Sequence, residues 1–197
     1  MSVTRSLPVV RESPRSLPVA LFAVYLALLV WAVLWKLGVP YLGTGEQRAV
    51  KLVPFVAGDG YGVSTGFEML ANVALFVPFG VYAGLVAPRW SWLRVAGAAV
   101  LTSLALEATQ YVLAVGSSDI TDVILNTAGA LAGLLLLAAL RRALRERTGA
   151  VVVHWCAMAT VAALLAAALA VISPFHYGAP GGPHPLREGV TGSAPTR

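Results

Sequence analysis

Residues 69–87 read MLANVALFVPFGVYAGLVA, nineteen residues without a charge. A hydrocarbon core about 30 Å thick takes roughly 20 residues of helix, so this stretch is long enough to cross a membrane. Four more stretches have the same character: Leu17 to Trp35, Val95 to Val115, Val123 to Leu140 and Ala150 to Ile172. The first carries no charge, the second is interrupted by Glu107 and Gln110, the third by Asn126 and the fourth by His154. Backbone in lipid must satisfy its own hydrogen bonds, so all five read as helices. Composition agrees. Of 197 residues, 58% are apolar and 12% charged, against about 45–50% and about 25% in soluble domains. The mean hydropathy is +0.78. The fold class expected is all-α, a polytopic helical membrane protein of about five spans, with an external loop or re-entrant segment after the first.

The first apolar run exceeds a signal-peptide core of about 7–15 residues and no small-x-small cleavage site follows it, so it reads as an uncleaved anchor. Cytoplasmic loops are enriched in Lys and Arg. With the N-terminus inside, nine of the 14 basic residues are inside, among them Arg89, Arg94, Arg141, Arg142, Arg145 and Arg147. The other five, Lys36, Arg48, Lys51, Arg187 and Arg197, are outside. This bias predicts N-in, C-out topology. The expected organisation is a cytoplasmic segment (1–16), a membrane domain (17–147), an additional helix (148–172) and a disordered external tail (173–197). Only Lys36 and Lys51 among the basic residues are lysine, a bias of GC-rich genomes such as those of many bacteria.

Several functions are disfavoured. No basic run interleaved with aromatics suggests nucleic acid. The single cysteine, Cys156, allows no internal disulfide. No metal site and no cofactor is expected: His176 and His184 stand in the tail without a third ligand, and the alternating glycines of Gly58–Gly62 lack the strand and helix of a nucleotide fingerprint.

The polar residues inside the spans are more informative. A membrane carboxylate costs about +2.5 to +3.5 kcal/mol, while the strongly apolar residues of 95–115 return roughly −2.4 to −4.8 kcal/mol together. That helix should therefore turn its Glu107–Gln110 side to protein. Three polar stripes follow helical spacing: Glu107 and Gln110; Asp119, Asp122 and Asn126; Glu68 and Asn72. At 1.5 Å per residue, Asp122 lies about 5 Å, Asn72 about 6 Å, Gln110 about 8 Å, Asn126 about 10 Å and Glu107 about 12 Å inside the external helix ends. The expectation is one polar pocket in the outer half of the bilayer, built from Asn72, Glu107, Gln110, Asp119, Asp122 and Asn126. Gly80 with Gly84, and Gly129 with Gly133, form small-xxx-small patterns that let helices approach closely. Pro78 frees a backbone carbonyl and favours a kink.

Together, Asn72-Val-Ala-Leu-Phe-Val-Pro-Phe-Gly80, Glu107-Ala-Thr-Gln110 and Asp119-Ile-Thr-Asp-Val-Ile-Leu-Asn126-Thr-Ala-Gly129 with Gly133 resemble the VanZ-like family. Lys51-Leu-Val-Pro-Phe55 resembles the loop that precedes these motifs. The match covers about Lys51 to Leu140. It implies a bacterial cytoplasmic (inner) membrane protein of the cell envelope and, through the family's namesake, a link to teicoplanin resistance; it implies no reaction. In one respect the sequence departs from the family. Where many members carry an arginine before the first aspartate of the third motif, this chain has Gly116-Ser-Ser118. Glu107, Asp119 and Asp122 must then be balanced differently, a protonated carboxyl being one way.

Four functions compete. The pocket could bind membrane lipids, a lipid-linked wall precursor or a glycopeptide, contributing to glycopeptide resistance. Alternatively, the chain is a membrane-embedded enzyme acting on a lipid or wall precursor, with the catalytic candidates Glu107 and Asp122 as acid and base; Asp119 and Asp122 as a divalent-ion pair are outweighed by a helix-capping role for Asp119. A proton-coupled carrier would use the same carboxylates, but lacks both an inner polar path and an internal repeat. A purely structural role explains the amides well and a deep carboxylate poorly.

Overall fold

The computed structural model describes residues 16–35, 38–43, 50–55 and 66–172. The N-terminal segment, the Gly58–Gly62 run and the tail from Ser173 lie outside the described residues. Five α-helices follow in order: α1 (Ser16–Trp35), α2 (Gly66–Val86), α3 (Trp92–Leu113), α4 (Ile120–Leu144) and α5 (Thr148–Ile172). Two short strands, β1 (Val50–Lys51) and β2 (Ser118–Asp119), pair in parallel, Val50 beside Ser118 and Lys51 beside Asp119.

Four helical runs are long and apolar enough to cross a membrane, and the last of them, Ile120–Leu169, is 50 residues long. It contains α4, a single 3-10 turn at Arg145–Arg147, and most of α5. Straight, it would extend about 75 Å, more than twice the thickness of a hydrocarbon core. It is not straight. Arg145 has φ 50° and ψ −120°, outside helical geometry, and Leu137 and Val152 share one buried cluster with Val81. Fifteen positions apart on a continuous helix, those two side chains would be separated by about 22 Å. The run folds back at its arginines, so the all-α membrane architecture holds, with α4 and α5 as the two halves of the last run.

The centre of the bundle is the pairing of α2 with α4. Gly80 lies against Ala130, Gly133 against Val77, Gly129 against Val73 and Gly84 against Leu137. Contacts advance in the same direction along both helices, so the two run parallel. A Cβ on Gly80 would collide with the Ala130 carbonyl, and one on Gly133 with the Val77 carbonyl. Both glycines are therefore required by backbone approach. Gly84 differs, because a Cβ there meets the tip of the Leu137 side chain, which can rotate away.

Around this pair, Leu29, Phe76, Phe79, Ala99, Leu106 and Ala130 form a buried cluster joining α1, α2, α3 and α4. Phe22 packs edge-on against Phe79, ring centroids 5.6 Å apart, and stacks on Tyr82 at 5.5 Å. Lipid offers no hydrophobic drive between helices, so such fitted contacts carry the association. Neighbours also satisfy loosened backbone. Pro78 lies within α2 and weakens the helical ladder of the preceding turn, where the Tyr25 hydroxyl donates to the Leu75 carbonyl at 2.7 Å. At the end of α2, Arg141 Nη2 donates to the Gly84 carbonyl at 2.6 Å, one of the last four that the helix itself leaves open.

Candidate functional site

The bundle has two unlike ends. One gathers Arg89, Arg94, Arg141, Arg142, Arg145 and Arg147. At the other, the starts of α2 and α4 meet the end of α3, and the carboxylates collect there. α3 stops at Ala114, whose left-handed backbone (φ 56°, ψ 33°) points its N–H to the Gln110 and Tyr111 carbonyls. The chain then returns along α3 as β2. The Ser118 hydroxyl donates to the Glu107 carbonyl at 2.9 Å, and the Asp119 N–H donates to Glu107 Oε2 at 2.9 Å. Asp119 is the N-cap of α4, its Oδ1 accepting from the Thr121 N–H at 2.8 Å. This is the capping geometry expected of an aspartate at a helix start.

From α2, Asn72 Nδ2 donates to Asp122 Oδ1 at 2.6 Å. Asp122 and Asn72 are half-buried, while Glu107 and Asp119 are buried. One turn deeper, Asn126 Nδ2 donates to the Ser103 hydroxyl at 2.8 Å. Asn126 is 5% exposed and its Oδ1 accepts from no group among the described residues. Ser103 lies one turn before Glu107 and Asn126 one turn after Asp122, so α3 and α4 face each other in two polar layers. The three stripes do not all converge, however. Gln110 Nε2 turns to α1 and donates to the Val33 carbonyl at 3.1 Å.

The counter-charge comes from far away in the sequence. Parallel pairing of β1 with β2 sets Lys51 beside Asp119, with Nζ 3.9 Å from Oδ2 and side chains 10% and 9% exposed. The same segment is tied again where the Phe55 N–H donates to the Thr121 hydroxyl at 3.0 Å. Lys51 thus supplies a cation where Gly116-Ser-Ser118 offers none. Lys51, Ser103 and Thr121 are the site residues that helical spacing does not single out. An available signal for Lys51 was its isolation as one charge inside the apolar run from Val50 to Phe55. Among nucleophiles, Cys156 packs with Val81, Leu137 and Val152, away from the carboxylates, and His154 is exposed on α5. Among the described residues, no three His, Cys, Asp or Glu side chains are so placed that they could hold a metal ion together.

Removing the hydroxyl from Ser103 leaves both halves of the Asn126 amide unpaired in a buried place. Ser103→Ala is expected to cost about 1–3 kcal/mol, and Ser103→Ala with Asn126→Leu to cost less, because an apolar pair leaves no polar atom stranded. Apparent melting temperatures in one detergent would show it; equal losses in the two variants would refute the pairing.

The model of the VanZ/LLP1 family matches residues 22–141, which takes in every residue of this site. The chain belongs to the VanZ/LLP1 family. Over 118 residues it is 37% identical to Protein VanZ of Enterococcus faecium, covering 59% of this chain and 70% of that relative. No solved structure matches. The VanZ/LLP1 region begins within α1 and stops at Arg141, before the fold-back, so α5 stands beyond the matched part. All four seam glycines, the Glu107–Asp119 bond and Lys51 fall within it.

Proposed function

We propose that this VanZ/LLP1 protein binds a membrane-borne ligand at the carboxylate end of its bundle and so contributes to glycopeptide resistance of the cell envelope. The observation that carries this reading is the pair of held carboxylates. Asp122 accepts from Asn72 and buried Glu107 accepts from the Asp119 N–H, both within apolar helices. Intramembrane carboxylates are costly and mark function; packing alone would be served by amides. The ligand class is a lipid headgroup, a lipid-linked wall precursor or the glycopeptide itself, with Glu107 and Asp122 supplying charge and Asn72 an amide. The arginine end lies in the cytoplasm by the positive-inside rule. On this reading the carboxylate end lies in the outer half of the bacterial cytoplasmic membrane, with the N-terminus inside and the C-terminus outside. The teicoplanin context comes from the family resemblance.

The test is glycopeptide susceptibility of a sensitive Gram-positive host producing wild type, Glu107→Gln or Asp122→Asn at matched membrane levels. Wild type is expected to protect, and each isosteric variant to return the host to the susceptibility of the empty vector. Protection by both variants would leave the carboxylates a structural role only.

A further inference from the structure

The chain between α1 and α2 raises a question of depth. Exposed aromatics mark the membrane boundaries on α3: Trp92 is 60% and Tyr111 41% exposed. Trp and Tyr concentrate at the two interfaces, and nineteen helical steps separate this pair by about 29 Å, the thickness of one hydrocarbon core. Glu107 lies four residues inside Tyr111, about 6 Å towards the centre. β2 is bonded to Glu107 itself, through the Ser118 hydroxyl and the Asp119 N–H. β1 is paired to β2. Both strands therefore sit about one helical turn below the boundary that Tyr111 marks.

At that depth the flanks of Lys51 are apolar and uncovered: Val50, Leu52, Val53 and Phe55 are all more than half exposed on the isolated chain. Non-helical backbone is tolerated within a membrane only where protein satisfies its polar groups. Here β2 pairs with Val50 and Lys51 at one end of the strap, and the Thr121 hydroxyl accepts from the Phe55 N–H at the other. On α2 and α3, Phe67, Leu70, Leu101 and Val112 are exposed to the same degree.

We propose that residues 50–55 form a re-entrant strap whose apolar side chains face the acyl chains of one leaflet, holding Lys51 below the membrane surface against Asp119. The occupant of this apolar face is lipid, and the proposal rests on the membrane architecture, not on the ligand reading above.

The test uses the full chain with Cys156→Ala. Single cysteines at Leu52 or Val53 are labelled with an environment-sensitive fluorophore in nanodiscs. Leu101→Cys serves as the lipid control and Glu146→Cys as the water control. The Leu52 and Val53 labels are expected to emit to the blue of the Glu146 label, between it and the deeper Leu101 label, to resist aqueous iodide, and to be quenched by phospholipids brominated near the headgroup more than by those brominated near the chain end. Emission and iodide quenching like those of the Glu146 label would overturn the proposal. So would a blue-shifted emission indifferent to brominated lipid and dependent on protein density, which would assign the face to a second copy of the chain.

Discussion

Gly133→Ala is expected to cost about 1–3 kcal/mol, and Gly133→Leu to prevent accumulation of folded protein, because added volume in a closed contact has nowhere to go. The added Cβ meets the Val77 carbonyl. That atom belongs to the α2 backbone, and backbone moves only if the whole helix moves. Gly80→Ala should behave alike, since its Cβ meets the Ala130 carbonyl. Gly84→Ala is the control: the obstacle there is the end of Leu137, and a rotamer change relieves it. The measurement is the monodisperse fraction recovered in detergent and its melting temperature. If Gly84→Ala and Gly133→Ala lose equally, the parallel seam is not what holds α2 to α4.

The second large effect concerns Lys51 and Asp119. Removing one member of a buried ion pair costs about 3–5 kcal/mol, because the charge left behind has lost its water and its partner. Lys51→Met is expected to destabilise on that scale. Asp119→Ala should do at least as much, since the N-cap of α4 is lost too and a cap adds about 0.5–2 kcal/mol. Asp119→Asn keeps a capping oxygen while removing the charge. The double variant Lys51→Met with Asp119→Asn should therefore recover much of either single loss. Additive losses in this double-mutant cycle would mean that the two side chains do not interact.

The spans were legible because lipid imposes one rule on a long apolar run, and only their ends moved. The helix expected over 95–115 runs over Trp92–Leu113, and that expected over 123–140 over Ile120–Leu144. Amphipathic reasoning also turned the Glu107 side of α3 towards protein, where it is buried. It grouped Gln110 with Glu107, yet the structure separates them. Residues three apart differ by about 60° around a helix axis, enough in a bundle to face a different neighbour, here α1. Lys51 was harder to assign. Its partner is 68 residues away through a two-residue ladder, and no periodicity encodes such a pairing.

The parallel course of α2 and α4 has an electrostatic consequence. Successive peptide dipoles leave about half a positive charge at a helix N-terminus, which favours anions there by roughly 0.3–1 kcal/mol, and up to about 2 kcal/mol in partly buried geometry. The helices alternate in direction, so the N-termini at this face are those of α2 and α4, and each carries acid in its first turn, Glu68 on α2 and Asp122 on α4. Their negative ends meet Arg141 and Arg142, in the last turn of α4. The acidic cluster is thus sustained by peptide groups as well as by Lys51. Peptide groups do not titrate, so that share of the support lasts for as long as the carboxylates themselves are ionised.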